Sequence, residues 1–205
     1  MFDTGLSRMD TVSCVAAKTH AMNTDASPSE DHGRTLIAGQ AVPDLTAAAA
    51  RDGIAGFQER SYTLAFGYLG GRWFWDREPC NRMDVHSAIL CGVPYGSVVF
   101  LMSQVKRLQA QDVAEALGFS TQTLRRRAKQ SDEPMPASLA SKAWCFAEIL
   151  AKATEVCGDR ELAELWMSDE AMGLGGRRPI ELLRTFQGAE LVDEFLTRLA
   201  FGVYC

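Results

Sequence analysis

From about residue 95 onward the apolar positions recur at helical spacing. Val98, Leu101, Met102, Val105 and Leu108 sit three and four apart, the mark of a helix with one face turned inward. Asp112 to Leu117 reads as a short helix closed by Gly118, a residue suited to the left-handed turn at a helix end. Ser120 is a good N-cap for a following helix from Thr121 to about Lys129. Pro134 and Pro136 interrupt the pattern, and a long helix is predicted from Ala137 to Cys157, ended by Gly158. Glu161 to Met167 predicts another, with Leu162, Leu165 and Trp166 on its apolar side. Pro179 opens a short helix at the first-turn position, where its missing N–H costs nothing. A last helix runs from about Gly188 to Phe201, with Leu191, Phe195 and Leu199 along one face.

The amino-terminal part is patterned differently. Asn23 to Asp31 is polar and reads as loop or disorder, and Ala47 to Ala50 could join a short helix running towards Gly53. Tyr62 to Leu69 and Arg72 to Trp75 are aromatic-rich runs around Gly70-Gly71, which predicts a β-hairpin over 62–75. An isolated hairpin is marginal in water, so it would have to dock on the helical body or on a partner. The alternative is that this region lies upstream of the true start, with Met83 as one candidate initiator. The expected fold class is mainly α, with an N-terminal extension over 1–85 that is poorly ordered or hairpin-bearing.

Charge refines this picture. The 205 residues carry a net charge of -5, but the sign is uneven. Residues 91–145 hold 7 basic and 4 acidic side chains, whereas the flanking segments are acidic, so only the middle of the chain suits a phosphate partner. The cysteines at 14, 80, 91, 145, 157 and 205 show no C-x-x-C pair and have three histidines beside them, which gives no zinc-site spacing and no implied metal. Scattered thiols, no signal-peptide core and no bilayer-length apolar run point to the cytoplasm. G-x-S-x-G, H-E-x-x-H and Walker patterns are missing, and Gly173 to Gly176 is followed by Arg-Arg instead of Lys-Ser or Lys-Thr. A non-enzyme without a cofactor is expected.

Residues 110–129 have the layout of a helix-turn-helix: Ala114 in the first helix, Gly118 at the turn, Leu124 in the second. On the second helix Thr121, Leu124 and Ala128 should face the core, while Gln122, Arg125, Arg126 and Lys129 share the opposite side. Arg125 to Arg127 span about 200° of helix and cannot all enter one groove. Gln122 and Arg126 are the candidates for base edges, and Ser120, Thr121, Arg125 and Lys129 for phosphates. Gln109 makes a poor N-cap for the first helix.

The strongest signal lies at the carboxyl end. The long helix through Ala147 and Leu150 leads to Val156-Cys157-Gly158-Asp159 and Trp166. Gly175-Gly176-Arg177-Arg178-Pro179, Leu182-Leu183, Gly188 and the ending Gly202-Val203-Tyr204 follow in order. This succession, with the upstream helix-turn-helix, resembles the Xre/MbcA/ParS antitoxins, partners of RES-domain toxins. The resemblance covers about residues 90–205 and implies a helix-turn-helix domain over 90–135 and a toxin-binding domain over 137–205. It also implies the role: an inhibitor that blocks the NAD-consuming site of a cognate RES toxin and, by DNA binding, represses its own operon. Gly175, Gly176, Arg177, Arg178, Gly202, Val203 and Tyr204 would be the toxin-blocking elements, and a homodimer would read paired half-sites on operator DNA. Read from the residues alone, Arg177 and Arg178 suit either a partner's anion or an internal ion pair with Glu181 or Asp193. The alternative function is a stand-alone regulator whose C-terminal domain only dimerises.

Overall fold

The computed structural model describes residues 45–202, with side chains from Gly53 onward except those of Leu124, Arg125 and Ala128. The described residues are mainly helical: α1 (Leu45–Tyr68), α2 (Arg82–Cys91), α3 (Tyr95–Gln104), α4 (Ala110–Leu117), α5 (Thr121–Arg127), α6 (Ala137–Cys157), α7 (Arg160–Ser168), α8 (Pro179–Leu182) and α9 (Phe186–Ala200), with short 3-10 turns and loops between them. The expectation of a polar loop around Asn23 to Asp31 lies outside the described residues.

The long helix α6 is the axis of the fold. Ala140, Ala143, Trp144, Ala147, Ile149, Leu150, Ala151 and Ala153 are all buried, on every side of it. A helix apolar nearly all round is stable only when neighbours cover it. Here α1, α4, α7 and α9 do so. Its alanines leave room for close approach, and Gly158 ends it as predicted, at φ +79, its N–H bonded to the Thr154 carbonyl at 2.8 Å.

The hairpin expected over 62–75 is not formed; residues up to Tyr68 are helix instead. Tyr62, Ala65, Phe66 and Leu69 are buried, and they stand at i, i+3, i+4 and i+7. That period is helical, and it overrides the strand preference of aromatic residues, which reflects fit to a pleated surface more than backbone preference. Gly70 and Gly71, with φ +88 and +55, stop the helix instead of turning a hairpin. The chain then folds back so that Trp75 lies against Trp144, ring centroids 5.3 Å apart, and Tyr62 meets the same Trp144 edge-on at 5.7 Å. Residues 62–75 therefore share one core with α6.

Two amphipathic faces also differ from expectation. On α7 the buried residues are Ala163, Glu164 and Met167, while Leu162 is 54% and Leu165 41% exposed. On α9 they are Gly188, Ala189, Val192 and Leu196, while Leu191 is 53% exposed and Phe195 and Leu199 are half-buried. Each helix is rotated by about one position, roughly 100°, from the face with the largest apolar residues. Small residues win the contact positions because they let the helices come close: a Cβ on Gly188 would lie 2.1 Å from the Leu182 carbonyl oxygen.

Candidate partner and DNA surfaces

Arg177 and its neighbours occupy a loop built from backbone. Ala171 and Arg177 form an isolated antiparallel bridge: the Ala171 N–H donates to the Arg177 carbonyl at 3.1 Å, and the Gly176 N–H to the Ala171 carbonyl at 3.1 Å. Gly175 and Gly176, at φ +69 and +72, carry the turn between them. Both adopt the left-handed region that favours glycine, which is what the Gly-Gly pair is for. Met172 is held out of the fold at 89% exposure, and Gly173 is pressed under Phe195 so closely that a Cβ there would fall 2.1 Å from its ring.

The two arginines part company. Arg177 is exposed. Arg178 turns inward: Nη2 bonds Asp112 of α4 at 2.6 Å, Nη1 bonds Glu181 at 3.2 Å, and Nε donates to the Ser168 carbonyl at 2.7 Å. Asp112, chiefly, raises its already high pKa. The internal pairing with Glu181 that the sequence allows is formed, and the one with Asp193 is not: that carboxylate takes the buried Lys152 ammonium at 2.5 Å. Gly202 is exposed at φ +66, while Val203 and Tyr204 lie outside the described residues.

Upstream, α4 and α5 meet at Gly118, whose φ of +80 makes the turn. Its N–H caps α4 through the carbonyls of Ala114 and Glu115. Gln109 makes no side-chain cap, as its chemistry suggests, and Ser120 does: its Oγ accepts from the Thr123 N–H at 3.1 Å. Gln122, Arg126 and Lys129 are exposed together. Thr121, expected to face the core, is exposed as well, because at the first position of α5 it precedes the turn that reaches the body. The Arg125 side chain is outside the described set. Arg127 leaves the basic face: its guanidinium lies 5.0 Å from the Tyr95 ring centre and 3.5 Å from Glu133.

A set of contacts that sequence reading missed ties α4 to the carboxyl-terminal helices. Glu164 is fully buried, and its Oε2 accepts from the backbone N–H of Lys106 at 2.8 Å and of Arg107 at 2.7 Å. Glu161 binds the side chains of the same two residues, which hold its carboxyl below the usual range. Arg184 reaches Glu115. No periodicity announces such bonds, since their partners lie 54 to 66 residues apart or more.

The described residues contain no group of three or more His, Cys, Asp or Glu placed to hold a metal ion, and no helix long and apolar enough to cross a membrane. Compared with known families, residues 152–202 match the model of the antitoxin Xre/MbcA/ParS C-terminal toxin-binding domain. No curated protein matches the chain.

Proposed function

We propose that the chain, whose residues 152–202 match the Xre/MbcA/ParS C-terminal toxin-binding domain, is an antitoxin of that type, that it neutralises a cognate RES-type toxin by covering the toxin's NAD-consuming site, and that it represses its own operon through α4 and α5. The observation that carries this reading is the matched toxin-binding domain preceded by the α4–α5 pair, which turns at Gly118 and leaves Gln122, Arg126 and Lys129 facing solvent. Gly175, Gly176 and Arg177 offer a guanidinium on a loop raised from the surface, suited to a carboxylate or phosphate site on the toxin. Arg178 serves that loop from behind by fixing it to α4 and α7. Gly202, Val203 and Tyr204 complete the blocking elements. On the DNA side, Gln122 and Arg126 reach base edges while Ser120, Thr121, Arg125 and Lys129 hold phosphates. The protein acts in the cytoplasm as a homodimer within the toxin complex, and the chemistry belongs to the toxin.

Two experiments test this. Co-expression with the RES toxin of the same operon should restore growth and yield a stable complex on affinity purification. Growth arrest in spite of soluble antitoxin would refute the toxin reading. Arg126→Ala should weaken retardation of a promoter fragment by about tenfold, the scale of one good base contact, and unchanged affinity at physiological salt would refute the DNA reading.

A further inference from the structure

A cavity of about 400 Å³ lies where α1, α2, α6 and α9 meet, and neither the arginine loop nor the α4–α5 face takes part in it. Its volume is that of a small-molecule site. Much of its lining is apolar: Val85 of α2, Trp144 and Ile149 of α6, and Ala189 of α9. Tyr62 of α1 forms part of the wall and is only 2% exposed. Arg82 and Gln58 are polar neighbours of its hydroxyl, but no well-formed hydrogen bond reaches that oxygen among the described residues. A buried phenol on a cavity wall is therefore left with acceptor capacity to spare.

Charge selects the kind of ligand. Glu148 of α6 and Glu190, Asp193 and Glu194 of α9 all line the space. Two of these are already engaged. Asp193 takes the Lys152 ammonium at 2.5 Å, and Glu148 accepts from Gln58 at 2.6 Å and from the Trp144 indole at 3.0 Å. Glu190 and Glu194 have no ion pair or hydrogen bond among the described residues, and Arg82, on the α2 wall, pairs with neither. The two stand at i and i+4 on α9, where like charges repel and weaken a helix. A cation placed against both turns that repulsion into two attractions. Phe186, one turn before Glu190 and 71% exposed, adds an aromatic ring to the same row. An anion would meet four carboxylates against two basic groups, Arg82 and Lys152.

We propose that this cavity binds a small organic cation, an ammonium or guanidinium group carried on an aromatic or aliphatic body. The head pairs with Glu190 and Glu194, the body rests on Val85, Trp144 and Ile149, and the Tyr62 hydroxyl is a further acceptor on the wall. Such a ligand ties α2, which precedes the matched segment, to α9 within it. The site stands independently of the toxin and DNA readings.

The test uses the full-length protein and four probes of similar size, followed by calorimetric titration and by NMR of the tryptophan indoles. The cations 2-phenylethylamine and phenylguanidine should bind at least tenfold more tightly than neutral 2-phenylethanol or anionic 3-phenylpropionate, and should shift the Trp144 indole N–H resonance. The double variant Glu190→Gln/Glu194→Gln should weaken both cations at least tenfold and, without ligand, melt no lower than wild type. Failure of both cations to bind at millimolar concentration overturns the proposal. Equal affinity for all four probes within threefold does so too, as does cation affinity unchanged within threefold in the double variant. A shift confined to the Trp73 or Trp166 indole puts the ligand elsewhere and overturns the site.

Discussion

Glu164 is the residue whose loss should be felt most sharply for its size. Its carboxylate is buried without solvent contact, and three donors converge on it: the amides of Lys106 and Arg107 on one oxygen, and Arg160 Nε on the other at 3.0 Å. Hydrogen bonds to a charged group contribute roughly 1.5–3 kcal/mol each, and removing one member of a buried charged set leaves its partners unpaired at a cost of about 3–5 kcal/mol. Arg160 has little in reserve, because its Nη2 already lacks a partner and its guanidinium rests on the Tyr68 ring at 4.3 Å. Glu164→Ala should therefore destabilise the protein by ~3–5 kcal/mol, which for a chain of this size lowers the melting temperature by roughly 6–20 °C.

Glu164→Gln separates charge from shape. The amide oxygen can still accept from both backbone N–H groups, but the opposite end now offers N–H to a guanidinium that also donates. One charge-assisted bond is lost, so the expected cost is ~1.5–3 kcal/mol. Thermal melts give the totals, and native-state hydrogen exchange gives the place: the Lys106 and Arg107 amides should be protected in wild type, slightly less so in the Glu164→Gln variant, and fast in Glu164→Ala. A loss below about 1 kcal/mol for Glu164→Ala, or unchanged exchange at those two amides, would refute the idea that this carboxylate rivets the turn before α4 to α7.

Three further outcomes are expected. Gly188→Ala should cost about 2–3 kcal/mol by overpacking, since the new methyl would stand 2.1 Å from a backbone oxygen that cannot rotate away; an unchanged melting curve would refute that contact. A chain started at Met83 loses Tyr62, Phe66, Leu69 and Trp75 from the core. At ~1.5–3 kcal/mol per large buried side chain that is a typical domain's whole stability, so the product should bind hydrophobic dyes and aggregate, and a cooperative melt would contradict this. Burial, with Glu148 and Asp193 adding to it, pushes the Cys145 thiol up to about 11. Only ~0.1% is then thiolate at pH 8, so iodoacetamide mapping should label the exposed Cys80 and Cys91 first, with Cys145 labelled only on unfolding; equal labelling would refute its protection.

What the sequence disclosed and what it hid follow one physical division. Helix ends are local events, so Gly118, Gly158, Ser120 and Pro179 could be placed from neighbouring residues alone, and the structure puts each where its chemistry requires. Long-range choices are different. The 62–69 run held a strand composition and a helical period at once, and the period prevailed only because α6 offers a long apolar side for α1 to cover. On α7 the apolar residues Leu162, Ala163, Leu165, Trp166 and Met167 span about 200°, just over half the circumference, at about 100° per residue. Pattern alone cannot say which part of so wide a sector is covered. Size decides it: Ala163 and Gly188 permit the closest helix contacts, so the small residues go inward and the large ones are left outside.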